Sequence, residues 1–284
     1  MRLLTFEHDG QRRIGARSGD SVVDISRADP SIPDDMPGFL DAGRPALDRA
    51  QKALEVGEPA LSAAEVNVLA PISNPQKIIC IGLNYADHAA ESNMPIPSEP
   101  VVFAKYATAI AGPGEAIRLP TTSQKVDYEV ELVAVIGRAG RNIPESDALD
   151  HVAGYTVGHD VSARDYQLEK PAGQWLLGKT FDTFAPIGPD LVTSDEVPAP
   201  HALGIRCILN GETVQASCTD QLIFKIQQLV AYLSHVFTLT PGDLIFTGTP
   251  SGVGMGRTPQ RWLKPGDNVV CEIDAIGRLE NPVV

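Results

Sequence analysis

Two apolar patterns follow one another along the chain, and the change between them falls at a proline-containing linker over residues 71–75. Before the linker, Leu3–Phe6 and Ser21–Ile25 are short apolar runs between Gly and Asp turns, which predicts strands. Residues 46–56 place apolar side chains at helical spacing, which predicts one amphipathic helix. We therefore assign residues 1–72 to a small N-terminal α/β domain.

Residues 73–284 carry many short β-branched runs between Gly and Pro turns, and we assign them to one catalytic domain. The predicted strands are KIICIG, PVVFAKY, EVELVAVIG, HVAGYTVGHD, GIRCILNG, GDLIFTG and DNVVCEIDAIG. Helices are predicted over residues 84–92 and 220–237. Because strands dominate and do not alternate regularly with helices, the pattern argues against a doubly wound parallel sheet. It predicts an α+β fold that is predominantly β.

Composition and charge narrow the class of protein. A hydrophobic fraction of 43% and a charged fraction of 21% are those of an ordinary globular chain. The net charge of −13 repels phosphates and anionic lipids, so we expect no nucleic acid and no membrane partner. Four scattered cysteines predict neither a disulfide framework nor a zinc site. They fit a reducing compartment, and without a targeting pattern we expect a cytoplasmic location.

The stretch DYEVELVAVIG, residues 127–137, carries the strongest chemical signal. Residues two apart in a strand share a face, so Glu129 and Glu131 lie on the face of Val133 and Val135. An E-x-E pair often marks a solvated face, but here the opposite face is wholly apolar, which indicates a strand covered on both sides. Two buried carboxylates side by side are costly unless a countercharge lies between them.

A hard divalent cation is the simplest countercharge for this pair. Asp160 ends the apolar run VAGYTVGHD and supplies a third oxygen ligand. Ligation by carboxylates alone favours Mg²⁺, Mn²⁺ or Ca²⁺ over zinc or copper. The sequence therefore predicts a metal site formed by Glu129, Glu131 and Asp160.

The segment CIGLNYADHAAE, residues 80–91, contains a candidate acid–base pair. If Asn84 caps a short helix, His88 and Glu91 lie at positions i and i+3 on one face. A carboxylate that accepts from one imidazole nitrogen raises the basicity of the other, so the pair could activate a water. The alternative is an ordinary surface contact, and the pair has catalytic meaning only if it faces the metal.

Lys105 and Lys179 each interrupt an apolar stretch. Each is either a lysine that extends its ammonium to solvent at a strand end or an anion clamp beside the metal. In the second case Lys105 and Lys179 are candidate contacts for an anionic substrate. Arg164 is a third candidate contact, although it could instead pair with Asp165 or brace the metal ligands.

The glycine-rich stretch TGTPSGVGMG, residues 247–256, is a candidate anion-binding loop. Backbone N–H groups at Gly248 and Thr249 could bind a substrate carboxylate. The loop lacks the Gly-Lys-Ser/Thr ending of a P-loop, which argues against nucleotide phosphates. A tight turn without a ligand is the alternative.

Taken together, these motifs resemble the fumarylacetoacetate hydrolase family. The similar segments, in order over roughly residues 75–284, are CIGLNYADHAAE, SEPVVFAKY, DYEVELVAVIG, GHDVSARD, WLLGKTFDTFAPIGP and PGDLIFTGTPSGVG. The segments GKTFDTFAPIGP and GTPSGVG are especially similar to the branch called fumarylacetoacetate hydrolase domain-containing protein 2. Acylpyruvate-cleaving relatives commonly carry Arg where this chain has Leu83, which weakens an acylpyruvase assignment.

The resemblance implies a mixed β-sandwich roll, a homodimer and a site for Mg²⁺ or Mn²⁺, in which Ca²⁺ can substitute in crystals. It implies that the same three acidic residues are the metal ligands. It also implies that His88 and Glu91 form a water-activating dyad and that Lys179 is an active-site lysine. It also implies a lid over about residues 86–98.

The implied reaction is hydrolysis of a C–C bond in small 2,4-dioxo acids of the acylpyruvate or fumarylpyruvate type, through a metal-chelated enolate. In that reaction His88 and Glu91 activate the water, and Lys179 stabilises the charge that develops. The same site would serve an oxaloacetate keto–enol tautomerase or decarboxylase, or a hydroxymuconate-type isomerase. A binding protein that kept the fold and lost the chemistry is a further alternative.

Overall fold

The structure is a computed structural model that describes residues 1–57 and 60–284. Its strands are β1 Arg2–His8, β2 Gln11–Ser18, β3 Ser21–Asp24, β4 Ala60–Ser62, β5 Asn67–Leu69, β6 Ile78–Gly82, β7 Val101–Lys105, β8 Ile110–Ala111, β9 Val126–Asp127, β10 Val130–Ile136, β11 Val152–His159, β12 Ser162–Ala163, β13 Ala185–Thr193, β14 Gly204–Leu209, β15 Glu212–Cys218, β16 Leu244–Phe246, β17 Asn268–Ile273 and β18 Gly277–Pro282. Its α-helices are α1 Ile25–Ala28, α2 Met36–Asp41, α3 Gly43–Val56, α4 Ala86–Glu91, α5 Trp175–Lys179 and α6 Ile226–Val236. Within these residues, no helix combines the length and apolar character needed to cross a bilayer.

One large mixed sheet organises the molecule, in the order β4-β3-β2-β1-β13-β11-β10-β16-β6-β7. A second sheet has the order β15-β14-β17-β18, and the predicted α+β, predominantly β architecture is confirmed. The N-terminal strands continue the large sheet, because β1 pairs antiparallel with β13. The division of the chain at residue 72 stays a prediction.

Strand β10 lies inside the large sheet and is covered on both faces. It pairs antiparallel with β11 on one edge and with β16 on the other. On one face, Leu132 and Ala134 join one hydrophobic core; on the other, Val133 and Val135 join a second core. The predicted doubly covered strand is therefore confirmed, and Glu131, which shares the face of the two valines, is buried.

The sequence pattern did not predict β13, although it is a central strand. Pro186 and Pro189 lie within it, and proline normally restricts a run to an edge strand or a bulge. The structure accommodates the second proline at an irregularity, where the register between β11 and β13 shifts between Tyr155 and Val157. The sequence alone does not predict this strand, because the irregularity that accommodates the proline is visible only in the pairing with β11.

The predicted cap of α4 is wrong. Tyr85 precedes the helix and makes no side-chain capping bond. The Asn84 side chain instead donates to the carbonyl oxygens of Thr247 and Phe224, at 2.8 and 3.1 Å, and accepts from the Phe224 N–H. These long-range contacts tie the start of the helical segment to the loop after β16. The predicted helix over 220–237 begins later, at Ile226.

We predict that residues 1–72 unfold together with the large sheet, because both contribute to one core. Ile14 is buried in a cluster that also contains Val133 and Ile187. Ile14→Ala should lower the free energy of unfolding by about 2–5 kcal/mol, the usual cost of such a truncation. Denaturant unfolding should show one transition that shifts as a whole.

The control is Val56→Ala, at a position that is 73% exposed. This exposed truncation should change the stability by no more than about 0.5 kcal/mol. Two separate transitions, of which Ile14→Ala moves one, would contradict the shared core.

Candidate active site

Three carboxylates meet where β10 begins and β11 ends. Glu129 directly precedes β10, Glu131 lies on it and Asp160 directly follows β11. Antiparallel pairing places these strand ends side by side, with Val130 opposite His159. The carboxylate oxygens lie within 4.8 Å of one another, and all three residues are buried. The structure thus brings the three predicted metal ligands together at a cavity of about 320 Å³.

The ammonium group of Lys179 bridges two of these carboxylates. Its Nζ donates to Glu129 Oε2 at 2.7 Å and to Asp160 Oδ2 at 2.9 Å. Burial disfavours the ammonium, but the charges of Asp160 and Glu129 outweigh it and raise the pKa of Lys179. Burial likewise opposes ionisation of Glu129, but Lys179 and Arg164 hold its pKa well below the usual range. Lys179 is therefore a charged group at the cavity surface.

Glu131 differs from the other two carboxylates, since it forms no ion pair with any residue that the structure describes. Its Oε2 accepts the Gly248 N–H at 2.7 Å. Burial, together with the neighbouring charges of Asp160 and Glu129, raises its pKa well above the usual range. Glu131 is thus a buried carboxylate that no cation among the described residues pairs with. An all-oxygen cluster in which one buried carboxylate lacks an ion-pair partner fits a hard divalent cation.

Lys105 contacts Asp160 but does not line the cavity. Its Nζ is 2.6 Å from Asp160 Oδ1 and donates to the carbonyl oxygens of Val161, Phe184 and Lys179. The side chain is completely buried and is absent from the cavity lining. It neither extends to solvent nor reaches the space for a substrate. The structure therefore corrects the predicted substrate contact to a contact with Asp160.

Arg164 braces the cluster with all three of its side-chain nitrogens. Nη2 donates to Glu129 Oε1 at 2.6 Å, Nε to Asp127 Oδ2 at 2.9 Å and Nη1 to Gln167 Oε1 at 2.9 Å. The residue also lines the cavity. Of the alternatives that the sequence left open, the brace matches this geometry, because Asp165 binds the Ser123 hydroxyl instead.

The His88–Glu91 pair lies on α4, and His88 lines the same cavity as the carboxylates. His88 Nδ1 is 3.2 Å from Glu91 Oε2, and Glu91 Oε1 accepts the Gly252 N–H at 2.9 Å. Burial opposes ionisation of Glu91, but these two hydrogen bonds outweigh it and lower the pKa. An ionised Glu91 fixes the orientation of the imidazole and leaves Nε2 as the nitrogen free for proton transfer.

In the glycine-rich loop, the Gly248 N–H and the Thr249 hydroxyl form hydrogen bonds with other protein groups. The Gly248 N–H is already committed to Glu131, so the predicted substrate contact at Gly248 is corrected. The Thr249 hydroxyl donates to the Val130 carbonyl and accepts from Gln215 Nε2, both at 2.9 Å. Thr249 nevertheless lines the cavity, where a substrate could meet it.

Sequence reasoning missed Asp127, which joins the loop to the cluster. Its buried carboxylate accepts from the N–H groups of Gly254 and Met255, at 2.6 and 3.0 Å, as well as from Arg164. Asp127 stands two positions before Glu129, so strand periodicity could have placed it on the same face. Gln167 was also missed, and the sequence offers no periodic signal for it.

A model of the fumarylacetoacetate hydrolase C-terminal family matches residues 77–284. Among curated proteins, the chain is 53% identical over 288 residues to a Xenopus laevis protein named oxaloacetate tautomerase fahd2, mitochondrial. That alignment covers 100% of this chain and 90% of the relative.

Solved structures show the same similarity over the full length. The chain is 35% identical to fumarylacetoacetate hydrolase from Exiguobacterium antarcticum, with a TM-score of 0.87 and coverage of 100% of this chain and 99% of the other. It is 31% identical to maleylpyruvate hydrolase from Sphingobium sp. SYK-6, solved with manganese(II) and pyruvate, with a TM-score of 0.82 and the same coverage.

The expected cytoplasmic location is wrong. The Xenopus laevis relative is named a mitochondrial protein, and so are relatives from Bos taurus and Homo sapiens that are 49% and 48% identical. Scattered free cysteines argue against an oxidising compartment, but they do not distinguish one reducing compartment from another.

We predict that Asp127→Asn loosens the loop at Gly254 and Met255. The amide keeps the size of the side chain but removes the charge that accepts both N–H groups and the Arg164 guanidinium. Losing such buried, charge-assisted bonds costs about 1–3 kcal/mol. Hydrogen exchange at these two amides should therefore become roughly 5–150 times faster.

Asp165→Asn is the matched control, because Asp165 adjoins Arg164 in sequence but binds Ser123. Exchange at Gly254 and Met255 should not change in this variant. Unchanged exchange in Asp127→Asn would show that Asp127 does not hold the loop.

Proposed function

Because the chain belongs to the fumarylacetoacetate hydrolase family, we propose that it is a divalent-metal-dependent keto–enol tautomerase of oxaloacetate. The chain is an enzyme of this family, whose members act on small acids. The observation that carries the proposal is the cluster of three buried carboxylates, with Glu131 unpaired among the described residues, at the cavity that His88 also lines. A relative named as an oxaloacetate tautomerase is 53% identical over the whole chain. We therefore propose this reaction ahead of C–C hydrolysis.

In this proposal Glu129, Glu131 and Asp160 hold Mg²⁺ or Mn²⁺. Their all-oxygen donor set suits either ion, and Glu131 has no cation partner among the described residues. The related maleylpyruvate hydrolase was solved with manganese(II). When bound, a divalent cation acts as a Lewis acid that stabilises negative charge on the oxygen of a 2-oxo group.

His88 is the proposed acid–base group. Glu91 accepts from Nδ1, so Nε2 can take a proton from the third carbon of the 2-oxo acid. The 2-oxo oxygen gains a proton as the enol forms; in the ketonisation direction the hydroxyl proton leaves the oxygen and Nε2 delivers a proton to the carbon. Tautomerisation therefore needs one proton carrier and no attacking water.

Three protein cations support this transfer: Lys179 and Arg164, which line the cavity, and Lys105, which does not. The Lys179 ammonium, beside Glu129 and Asp160, places positive charge where the enolate oxygen develops. Arg164 and Lys105 are positioning residues, because they hold Glu129 and Asp160 from the protein side. Thr249 is the proposed polar contact for the substrate.

Hydrolysis of a C–C bond in a 2,4-dioxo acid is the second candidate. It is favoured by the His88–Glu91 pair, which could also deprotonate a water. The maleylpyruvate hydrolase is 31% identical to this chain. Both reactions require the same residues, so the substrate decides between them.

We also propose a homodimer. Strand β7 ends the large sheet, and Val101 and Val102 on it are exposed. An open sheet edge with exposed apolar side chains favours association with a second chain. Sedimentation equilibrium should give twice the chain mass of 30.3 kDa, and a monomer mass at micromolar concentration would contradict the dimer.

The test of the proposed function follows the enol absorbance of oxaloacetate in the presence of Mg²⁺. The wild-type protein should accelerate loss of the enol over buffer with Mg²⁺, and His88→Ala should reduce that acceleration by about 10²–10⁴-fold. His235→Ala, at an exposed position on α6, is the control and should retain full activity.

Acetylpyruvate distinguishes the two candidates in the same preparation. Cleavage of acetylpyruvate without acceleration of oxaloacetate ketonisation would replace the first candidate by the second. Full tautomerase activity in His88→Ala would remove His88 from the mechanism.

A further inference from the structure

The cavity has two chemically different walls. One wall carries the carboxylates with Arg164 and Lys179. The other wall is apolar and consists of Leu83, Met94, Phe103, Leu168, Trp175 and Met255. A small oxaloacetate molecule would engage the first wall, but its reaction gives the second wall no function.

The apolar wall is built from packed aromatic rings. Phe103 and Trp175 lie edge to face, with centroids 5.5 Å apart and planes at 64°. Gly82 makes room for this arrangement, because a Cβ there would lie 2.7 Å from the indole ring of Trp175. The Lys179 Nζ is 5.0 Å from the Phe103 ring centroid, so the aromatic wall begins directly beside the charged groups.

The apolar wall offers no lysine or arginine to a substrate carboxylate. Among the described lysines and arginines, only Arg164 and Lys179 line the cavity. All three side-chain nitrogens of Arg164 are hydrogen-bonded to protein side chains. Lys179 is bound to Glu129 and Asp160. A carboxylate that extended along the apolar wall would therefore lose hydration without gaining an ion pair.

The size of the cavity also favours a substrate with an apolar substituent. Its volume of about 320 Å³ falls within the range of about 300–1,000 Å³ that is typical of pockets for drug-sized ligands. A flat aromatic ring placed between the wall and the charged end would bury apolar area and could stack edge to face with Phe103 and Trp175. The space thus suits a 2-oxo acid with an aromatic substituent.

We propose that the protein also tautomerises 2-oxo acids that carry an aryl group on the third carbon. The inference rests on the proposed function, because it uses the same proton transfer at the same site. One C–H bond at the third carbon breaks and an O–H bond forms at the 2-oxo oxygen, while the C=O bond becomes a single bond and the bond between the second and third carbons becomes a double bond. The proton lost by carbon is returned to oxygen, so the isomerisation consumes no other reactant.

The experiment compares phenylpyruvate with oxaloacetate in one enol-absorbance assay with Mg²⁺. The wild-type protein should accelerate tautomerisation of both acids over buffer with Mg²⁺. Acceleration of oxaloacetate but not of phenylpyruvate overturns this inference and leaves the proposed function standing. Acceleration of phenylpyruvate alone overturns the proposed substrate and supports this inference, and acceleration of neither overturns both.

A matched pair of variants tests whether the apolar wall is responsible. Leu168 lines the cavity and is 48% exposed, whereas Leu177 lies outside the lining and is 47% exposed. Leu168→Arg places a cation on the apolar wall, so the ratio of kcat/KM for oxaloacetate to that for phenylpyruvate should rise about tenfold. Leu177→Arg should leave the ratio unchanged. Equal ratios in both variants would show that the wall does not select the aryl group.

Discussion

Buried negative charge is the constraint on which the rest of this molecule depends. Glu129, Glu131 and Asp160 occupy one interior pocket, where each charge costs several kcal/mol of lost hydration unless it is paired. Lys179 neutralises two of them in part, whereas Glu131 receives only a backbone N–H. Burial and the neighbouring charges of Asp160 and Glu129 therefore raise the pKa of Glu131 well above its usual range. A divalent cation would offset these charges, and the Lewis acidity of that ion is what enolate chemistry requires.

The fold distributes the support for this cluster over segments that are distant in sequence. Lys105 contacts Asp160, while Arg164 connects Glu129 to Asp127. Asp127 in turn fixes the loop whose Gly252 binds Glu91. The proposed proton carrier and the proposed metal ligands are therefore connected through one glycine-rich loop. Hydrogen bonds to the buried carboxylates of Glu131 and Asp127 hold that loop, and its movement would affect both groups.

Sequence reasoning succeeded where the signal is local and periodic. The alternation around Glu129 and Glu131 predicted a strand covered on both sides, and the structure has that strand. The helical spacing of His88 and Glu91 likewise predicted their contact.

Sequence reasoning failed where contacts between segments that are distant in sequence determine the role of a side chain. Lys105 finds its carbonyl acceptors in three separate segments, and Asn84 bonds across to residues 224 and 247 instead of capping its own helix. No pattern along the chain encodes such contacts. Titration of Mn²⁺ into the purified protein tests the central claim most directly. We expect one ion per chain, with affinity reduced about tenfold or more in Glu131→Gln and unchanged in the exposed Glu145→Gln. No saturable binding, or equal affinity in wild type and Glu131→Gln, would contradict the account.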